Sequence, residues 1–211
     1  MGQPTEGASR KAANPTYPLR MKTPVKPTPE FLEARIRAFD EDPETAPAER
    51  ALTDLFHRYP LNDAIEPILL KVAALNAFYA TNVYAVLKVS RHIFDLRIDP
   101  YIAKGDLEIV NRIADFTIKA KRRRIFSFAT KYCSWHFPER YPMFDSYVAQ
   151  LLHAYSRLDH FSRVTWNDMR TYQRFVELVE EFRSYYRLLD FSFKQIDKFL
   201  WHYGLELYGG D

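Results

Sequence analysis

Between Ile118 and Val148 the chain gathers residue types that can do chemistry. Lys119, Lys121, Arg122, Arg123, Arg124 and Lys131 fall within positions 119–131 with no acid among them. Asp145 follows after a connection broken by Pro138 and Pro142. A cationic run on an otherwise nearly neutral chain attracts a polyanion locally. Its plain counterpart is a solvated helix end, where cations meet the negative end of the dipole. Asp145, in Asp145-Ser146-Tyr147-Val148, suits a helix start, where a carboxylate caps free N–H groups.

The elements that must position these residues are bounded by composition. The chain has 211 residues, 47% hydrophobic and 27% charged, which is the balance of a globular protein with a real core. Six glycines leave little room for a turn-rich barrel or a Gly-rich nucleotide loop, and one cysteine, Cys133, excludes a disulfide framework and a Cys-based zinc finger. Cys133 and His136 have a ligand-like offset, but no second pair follows, so neither a metal nor another cofactor is expected. No apolar run approaches the roughly 18–20 residues of a membrane span, and no apolar leader opens the chain; the cytoplasm is the expected address. The net charge of +3 is concentrated at the front, where Arg10, Lys11, Arg20, Lys22 and Lys26 face Glu6. With Pro4, Pro15, Pro18, Pro24 and Pro27, residues 1–27 are predicted to be a flexible basic arm, and residues 28–211 a single helical domain.

Helical spacing dominates that domain. Thr28-Pro29-Glu30 starts a helix with a capping hydroxyl and Pro at the first position. A second is predicted from about Pro47 to His57, and a third, apolar on more than one side, from near Asn62 through Leu75. Thr81-Asn82 opens a fourth and Asp106 starts another, and one more runs from about Lys121 to Trp135. A helix begins near Met143, a long one spans roughly Trp166 to Leu188, and Ser192 with Gln195 forms a capping box for the last. No alternating strand is found. The predicted fold is all-α, with about eight helices.

The order of these elements resembles the helix-hairpin-helix DNA glycosylase superfamily, in its 8-oxoguanine glycosylase-like and archaeal 8-oxoguanine glycosylase branches. Ser127-Phe128-Ala129-Thr130-Lys131 stands where the superfamily has its Gly-x-Gly-x-Lys hairpin, and Phe144-Asp145-Ser146-Tyr147-Val148 where it has Val-Asp-x-His-Val. Leu75-Asn76-Ala77-Phe78-Tyr79-Ala80-Thr81-Asn82-Val83 resembles the helix–turn–helix ahead of the hairpin, so the likeness covers about residues 45–155. Ser127 and Ala129 replace both hairpin glycines, Tyr147 replaces the usual histidine, and the Lys131–Asp145 spacing is shorter.

The resemblance implies an enzyme that everts a base from DNA and cleaves its N-glycosidic bond. In that reading Asp145 stabilises the positive charge on the sugar, and Lys131 attacks C1′ where the enzyme also has lyase activity. Lys119, Lys121, Arg122, Arg123 and Arg124, with Ser127 and Thr130, hold the DNA backbone. Asn76, Tyr79, Asn82, Tyr132 and Trp135 form the base pocket or fill the gap in the stack. The partner is DNA, and a monomer is expected. The substrate is a modified cytosine, hydroxymethylated or glucosylated, in phage DNA, or else an oxidised purine of the 8-oxoguanine type. Two other classes stay open: a helical DNA-binding module without chemistry, and an interaction protein whose basic patch meets an acidic partner.

Overall fold

Caps and proline breaks set the frame of the chain. In a computed structural model that describes residues 22–118 and 121–209, the Thr28 hydroxyl accepts the Phe31 N–H at 3.3 Å and starts α1 (Pro29–Glu41). The part of the expected arm before residue 22, and Lys119, lie outside the described residues. There follow α2 (Ala46–Arg58), α3 (Ile65–Tyr79), α4 (Val86–Leu96), the short α5 (Asp99–Ala103) and α6 (Glu108–Ala114). An antiparallel ribbon of β1 (Asp115–Ile118) and β2 (Lys121–Arg124) leads into α7 (Phe126–His136). Then come α8 (Ser146–Asp159), a 3-10 turn at Asp168–Arg170, α9 (Tyr172–Tyr185) and α10 (Phe193–Tyr208). Among the described residues no helix is long and apolar enough to cross a membrane.

The all-α expectation holds in its main lines, with ten helices among the described residues instead of about eight. The two-stranded ribbon is a correction. Residues from Lys121 do not enter a helix; β2 runs to Arg124 and α7 starts only at Phe126. Phe116, Thr117 and Ile118 are residues that favour a pleated surface, and Asp115 stands opposite Arg124 in the ladder. Thr81-Asn82 does not open a helix either. Ala80 and Asn82 both take positive φ, and α4 waits until Val86. The long segment from Trp166 is split at Thr171 into the 3-10 turn and α9, whose Tyr172 is buried.

The core sits between three packed groups. The α3 helix rests on α2, α4 and α7; α6 packs on α7 and α9; α10 lies between α1 and α8. The Ser192 capping box closes as expected: Ser192 N–H donates to Gln195 Oε1 at 2.9 Å, and Gln195 N–H to Ser192 Oγ at 3.3 Å. Before α1, Val25 N–H donates to the Tyr203 hydroxyl at 2.9 Å and the Tyr155 hydroxyl donates to the Val25 carbonyl at 2.6 Å, tying this segment to α8 and α10.

Gly204 sets how closely α10 approaches the first turn of α8, because a Cβ added there would lie 2.8 Å from the Tyr147 carbonyl oxygen. The two helices would have to part. Gly204→Ala is therefore expected to destabilise by about 1–3 kcal/mol, despite the better helix propensity of alanine. Urea unfolding checks this; an unchanged or raised midpoint would mean that the contact yields freely.

Candidate active site

The N-terminal half of α7 holds the start of α8 through three side chains. Ser127 and Lys131 share a helix face at a four-residue spacing, with Thr130 beside them. Ser127 Oγ donates to the Phe144 carbonyl at 3.1 Å, and Thr130 Oγ1 accepts the Phe144 N–H at 3.0 Å. Lys131 Nζ donates to Ser127 Oγ at 2.7 Å, to the Phe144 carbonyl at 3.1 Å and to Asp145 Oδ2 at 3.3 Å. Both backbone groups of Phe144 are thus satisfied by α7, and Asp145 has a fixed position. Its Oδ1 accepts the Tyr147 N–H at 3.0 Å and caps α8.

Of these residues, Lys131 and Asp145 face a cavity of about 260 Å³. Lys131 and Asp145 line one side, Tyr79 and Phe78 from the end of α3 another, and Glu49 comes from α2. A further side is the stripe Lys194, Asp197, Lys198 and Trp201 of α10, whose spacing puts all four on one helix face. Glu49 binds Lys194 at 2.9 Å and Lys198 at 3.5 Å. Lys194 also stands 4.0 Å above the Trp135 ring, and Lys131 5.4 Å from the Tyr79 ring. Of the two, Asp145 is the more open, with 20% of its side chain exposed against 2% for Lys131.

Burial governs the protonation of this site. It pulls the Lys131 ammonium down from its ordinary range, and the charge of Asp145 opposes that shift. Lys194 is lowered in the same way against the pull of Glu49. Burial pushes the Asp197 carboxyl up to about 8, although the Met143 N–H, Lys194 and Lys131 all favour its ionised form. Its Oδ2 accepts that N–H at 2.8 Å, and its Oδ1 is buried without a partner.

The structure brings Lys131, Asp145 and Tyr79 to one cavity and places Trp135 beside it. Trp135 Nε1–H donates to the Tyr79 hydroxyl at 3.1 Å. Other expectations are corrected. Ser127 and Thr130 lie in α7 and spend their hydroxyls on Phe144, so they are not free for a phosphate. The segment Ser127–Lys131 is helical and forms no glycine-type nest. Tyr132 is fully buried and donates to Asn62 Oδ1 at 2.6 Å, which leaves no face for stacking. Asn76 Oδ1 accepts from Thr81 Oγ1 and the Val83 N–H, bracing the turn after α3. Asn82 is an exposed residue of that turn. Cys133 is core, its thiol pushed up by burial, and His136 faces Lys71 at 3.3 Å.

The basic run is also reshaped. Asp115 takes Arg122 at 2.7 Å and Arg124 at 3.1 Å, across the ribbon. Burial works against the Asp115 carboxylate, but hydrogen bonds from both arginines outweigh it and hold the acid below its ordinary value. Arg124 further donates to Asn111 Oδ1 and the Arg170 carbonyl, each at 3.1 Å. Arg123 remains exposed on β2, and Lys121 opens that strand.

Sequence reasoning missed Glu49, Lys194, Asp197, Lys198 and Trp201. The available signal was a charged residue, Asp197, amid the apolar positions Ile196, Phe199 and Leu200 of one helix. A pH dependence follows from it. Between the ordinary 3.8 and about 8, the folded chain keeps a proton that the unfolded chain has released, so stability falls as pH rises through that window. Asp197→Asn removes this exchange. From pH 5 to pH 8 the variant is expected to lose less stability than the native chain, by at most about 4 kcal/mol. Denaturation at both pH values measures it; equal losses would show that Asp197 is ionised throughout.

A family model described as the HI_0787_N N-terminal domain matches residues 31–140. An uncharacterized protein of Haemophilus influenzae is 36% identical over 152 residues, which covers 71% of this chain and 73% of that protein. No solved structure matches. The chain belongs to the HI_0787_N family.

Proposed function

We propose that this chain is a DNA N-glycosylase that removes a modified base and leaves an abasic site. The observation that carries the reading is the Asp145 carboxylate at the wall of an aromatic-lined cavity, backed by the buried Lys131. The cavity, about 260 Å³, falls just below the roughly 300–1,000 Å³ of pockets that take whole drug-sized ligands, and so suits a single everted base. A carboxylate has about four lone-pair positions. The Tyr147 N–H and Lys131 occupy two of those on Asp145, leaving others for the reaction.

The chemistry then divides among residues of the chain. Tyr79 and Trp201 wall the base, and Asp145 faces the sugar. Breaking the C1′–N bond places positive charge on the sugar, which the carboxylate stabilises. Water forms the new C1′–O bond and gives up one proton through Asp145, which passes it to the departing base anion, so that the products are the sugar hydroxyl and the neutral base. Lys131 fits a positioning role better than a nucleophilic one. Its three acceptors match the three protons of an ammonium and leave no lone pair for attack. The likeness to helix-hairpin-helix glycosylases supports the reading, with α6, the β ribbon and α7 in place of the hairpin. Arg123 and the other cations of the ribbon lie toward the N-terminal end of α7. Lys131 is roughly 7–8 Å further along that helix, counted from Phe126. The proposed substrate is a hydroxymethylated or glucosylated cytosine of phage DNA, with an 8-oxoguanine-type lesion as the alternative.

The test is incubation with phage DNA carrying modified cytosine and with 8-oxoguanine duplexes, followed by alkali to break abasic sites. Breaks are expected with one of them. Asp145→Asn should lower the excision rate by about 10²–10³ while the chain stays folded. Borohydride should trap no adduct on the native enzyme. Binding without breaks on every DNA would leave the non-catalytic module as the function.

A further inference from the structure

We infer that Asp197 is the specificity residue of the cavity, its free carboxyl oxygen donating a hydrogen bond to a carbonyl oxygen or ring nitrogen of a flat heteroaromatic ligand. This rests on reading the cavity as a base-binding site, and it adds the group that would read the base. Three observations carry it. Asp197 lines the cavity and is 5% exposed. One oxygen is fixed by the Met143 N–H at 2.8 Å, so the carboxyl plane is held by the backbone. The other oxygen is buried with no partner, and a polar atom left in that state costs stability unless a ligand completes it.

The surroundings decide whether that oxygen donates or accepts. Lys194 and Lys198 flank Asp197 on α10, Lys131 faces it from α7, Glu49 from α2, Tyr79 from α3, and Asp145 from the start of α8. Lys194 is engaged by Glu49, Lys198 by Glu49 and Asp40, and Lys131 by its three acceptors. Asp197 forms no ion pair among the described residues. A carboxyl group in a dry site without its own cation keeps its proton and becomes a donor. Burial acts in that direction here. The aromatic walls, Tyr79, Phe78 and Trp201, set a flat ligand against this donor. Asparagine reproduces the arrangement, since its oxygen can accept the Met143 N–H while its NH2 donates into the cavity.

The experiment is ligand-observed NMR titration with the deoxynucleosides of cytosine, 5-hydroxymethylcytosine and 8-oxoguanine. At pH 6 one of them is expected to bind the native chain. Asp197→Asn should bind it within about threefold, and Asp197→Ala about tenfold more weakly, the size of one lost hydrogen bond. Raising the pH to 9.5 should weaken native binding about tenfold or more as the proton leaves, with little change in Asp197→Asn. If Asp197→Ala does not fold by circular dichroism, the pH comparison between the native chain and Asp197→Asn decides alone. Binding that ignores pH in the native chain, equal binding by a folded Asp197→Ala, or no binding of any of the three nucleosides overturns the inference. Failure of the glycosylase reading looks different. Asp197-dependent binding with no excision removes the enzyme and keeps the donor. Excision that Asp197→Ala leaves unchanged does the reverse.

Discussion

A buried ammonium organises the candidate site. Removing a lysine charge from water is costly, and it is tolerated only where every proton finds an acceptor and a counter-charge lies near. Lys131 meets both conditions by reaching across to the chain after α7: a hydroxyl of its own helix, the Phe144 carbonyl and the Asp145 carboxylate. The arrangement works in both directions. The lysine is accommodated only if Phe144 and Asp145 lie against α7, and they lie there because the lysine, Ser127 and Thr130 satisfy their polar groups. Pro138 and Pro142 make the return possible, since the residue before each is turned out of helical geometry. The Tyr141 hydroxyl, donating to the Asp106 carbonyl, and the Tyr172 hydroxyl, donating to the Pro142 carbonyl, pin the bend, both at about 3 Å. The Asp145 carboxylate is in this way placed by the contacts that α7 makes with the backbone of Phe144.

A second buried lysine shows what the same device looks like without a cavity. Lys71 donates to the Tyr59 and Leu61 carbonyls at 3.1 and 3.0 Å and to Asn62 Oδ1 at 2.8 Å. Asn62 in turn donates to Asp99 at 2.5 Å and accepts from Tyr132. Burial lowers Lys71 to about 8, against the pull of Asp99 and Asp63, and drives His136 beside it down to about 3, leaving a neutral imidazole. The acceptors around Lys71 lie within the fold, and the cluster ties α3, α5 and α7 together. Lys131 differs because its counter-charge is partly open to the cavity. The α7 helix therefore separates a closed brace, on the side of Tyr132 and His136, from an open site on the side of Lys131. Adjacent residues of one helix point to different neighbours, and that geometry alone assigns Tyr132 to structure and Lys131 to the site.

Local chemistry was legible in the sequence, and distant partnership was not. The caps at Thr28, Asp145 and Ser192 were readable because each depends on residues within a turn of itself. Lys131 and Asp145 were readable as a pair only through the resemblance of Ser127–Lys131 and Phe144–Val148 to the superfamily's two motifs. Glu49 and Lys194 lie 145 positions apart, and no short-range pattern joins them. The ribbon was missed for another reason. A run of cations looks like a solvated helix, and only the ladder shows that Asp115 faces both Arg124 and Arg122. Tyr132 was misread because an aromatic beside a reactive lysine is equally placed for core or for stacking, and the deciding fact was which face of α7 it occupies.

The family match ends at residue 140, and the cavity does not. Within the matched segment lie Glu49, Tyr79 and Lys131; beyond it lie Asp145, Lys194 and Asp197. Each side leaves the other incomplete. Lys131 without Phe144 and Asp145 would be a buried cation short of two acceptors and its counter-ion, and Glu49 without Lys194 and Lys198 would face the cavity unpaired. Uncompensated charges of this kind are among the strongest penalties in a protein interior. The matched segment is thus electrostatically unfinished by itself in this chain, and α8 and α10 close both its ion pairs and its cavity. The site belongs to the junction. A lysine and an acid from the first part and two acids from the second are held within one small volume, where burial gives one carboxyl a raised pKa and an ion pair with Lys131 keeps the other oriented toward the cavity.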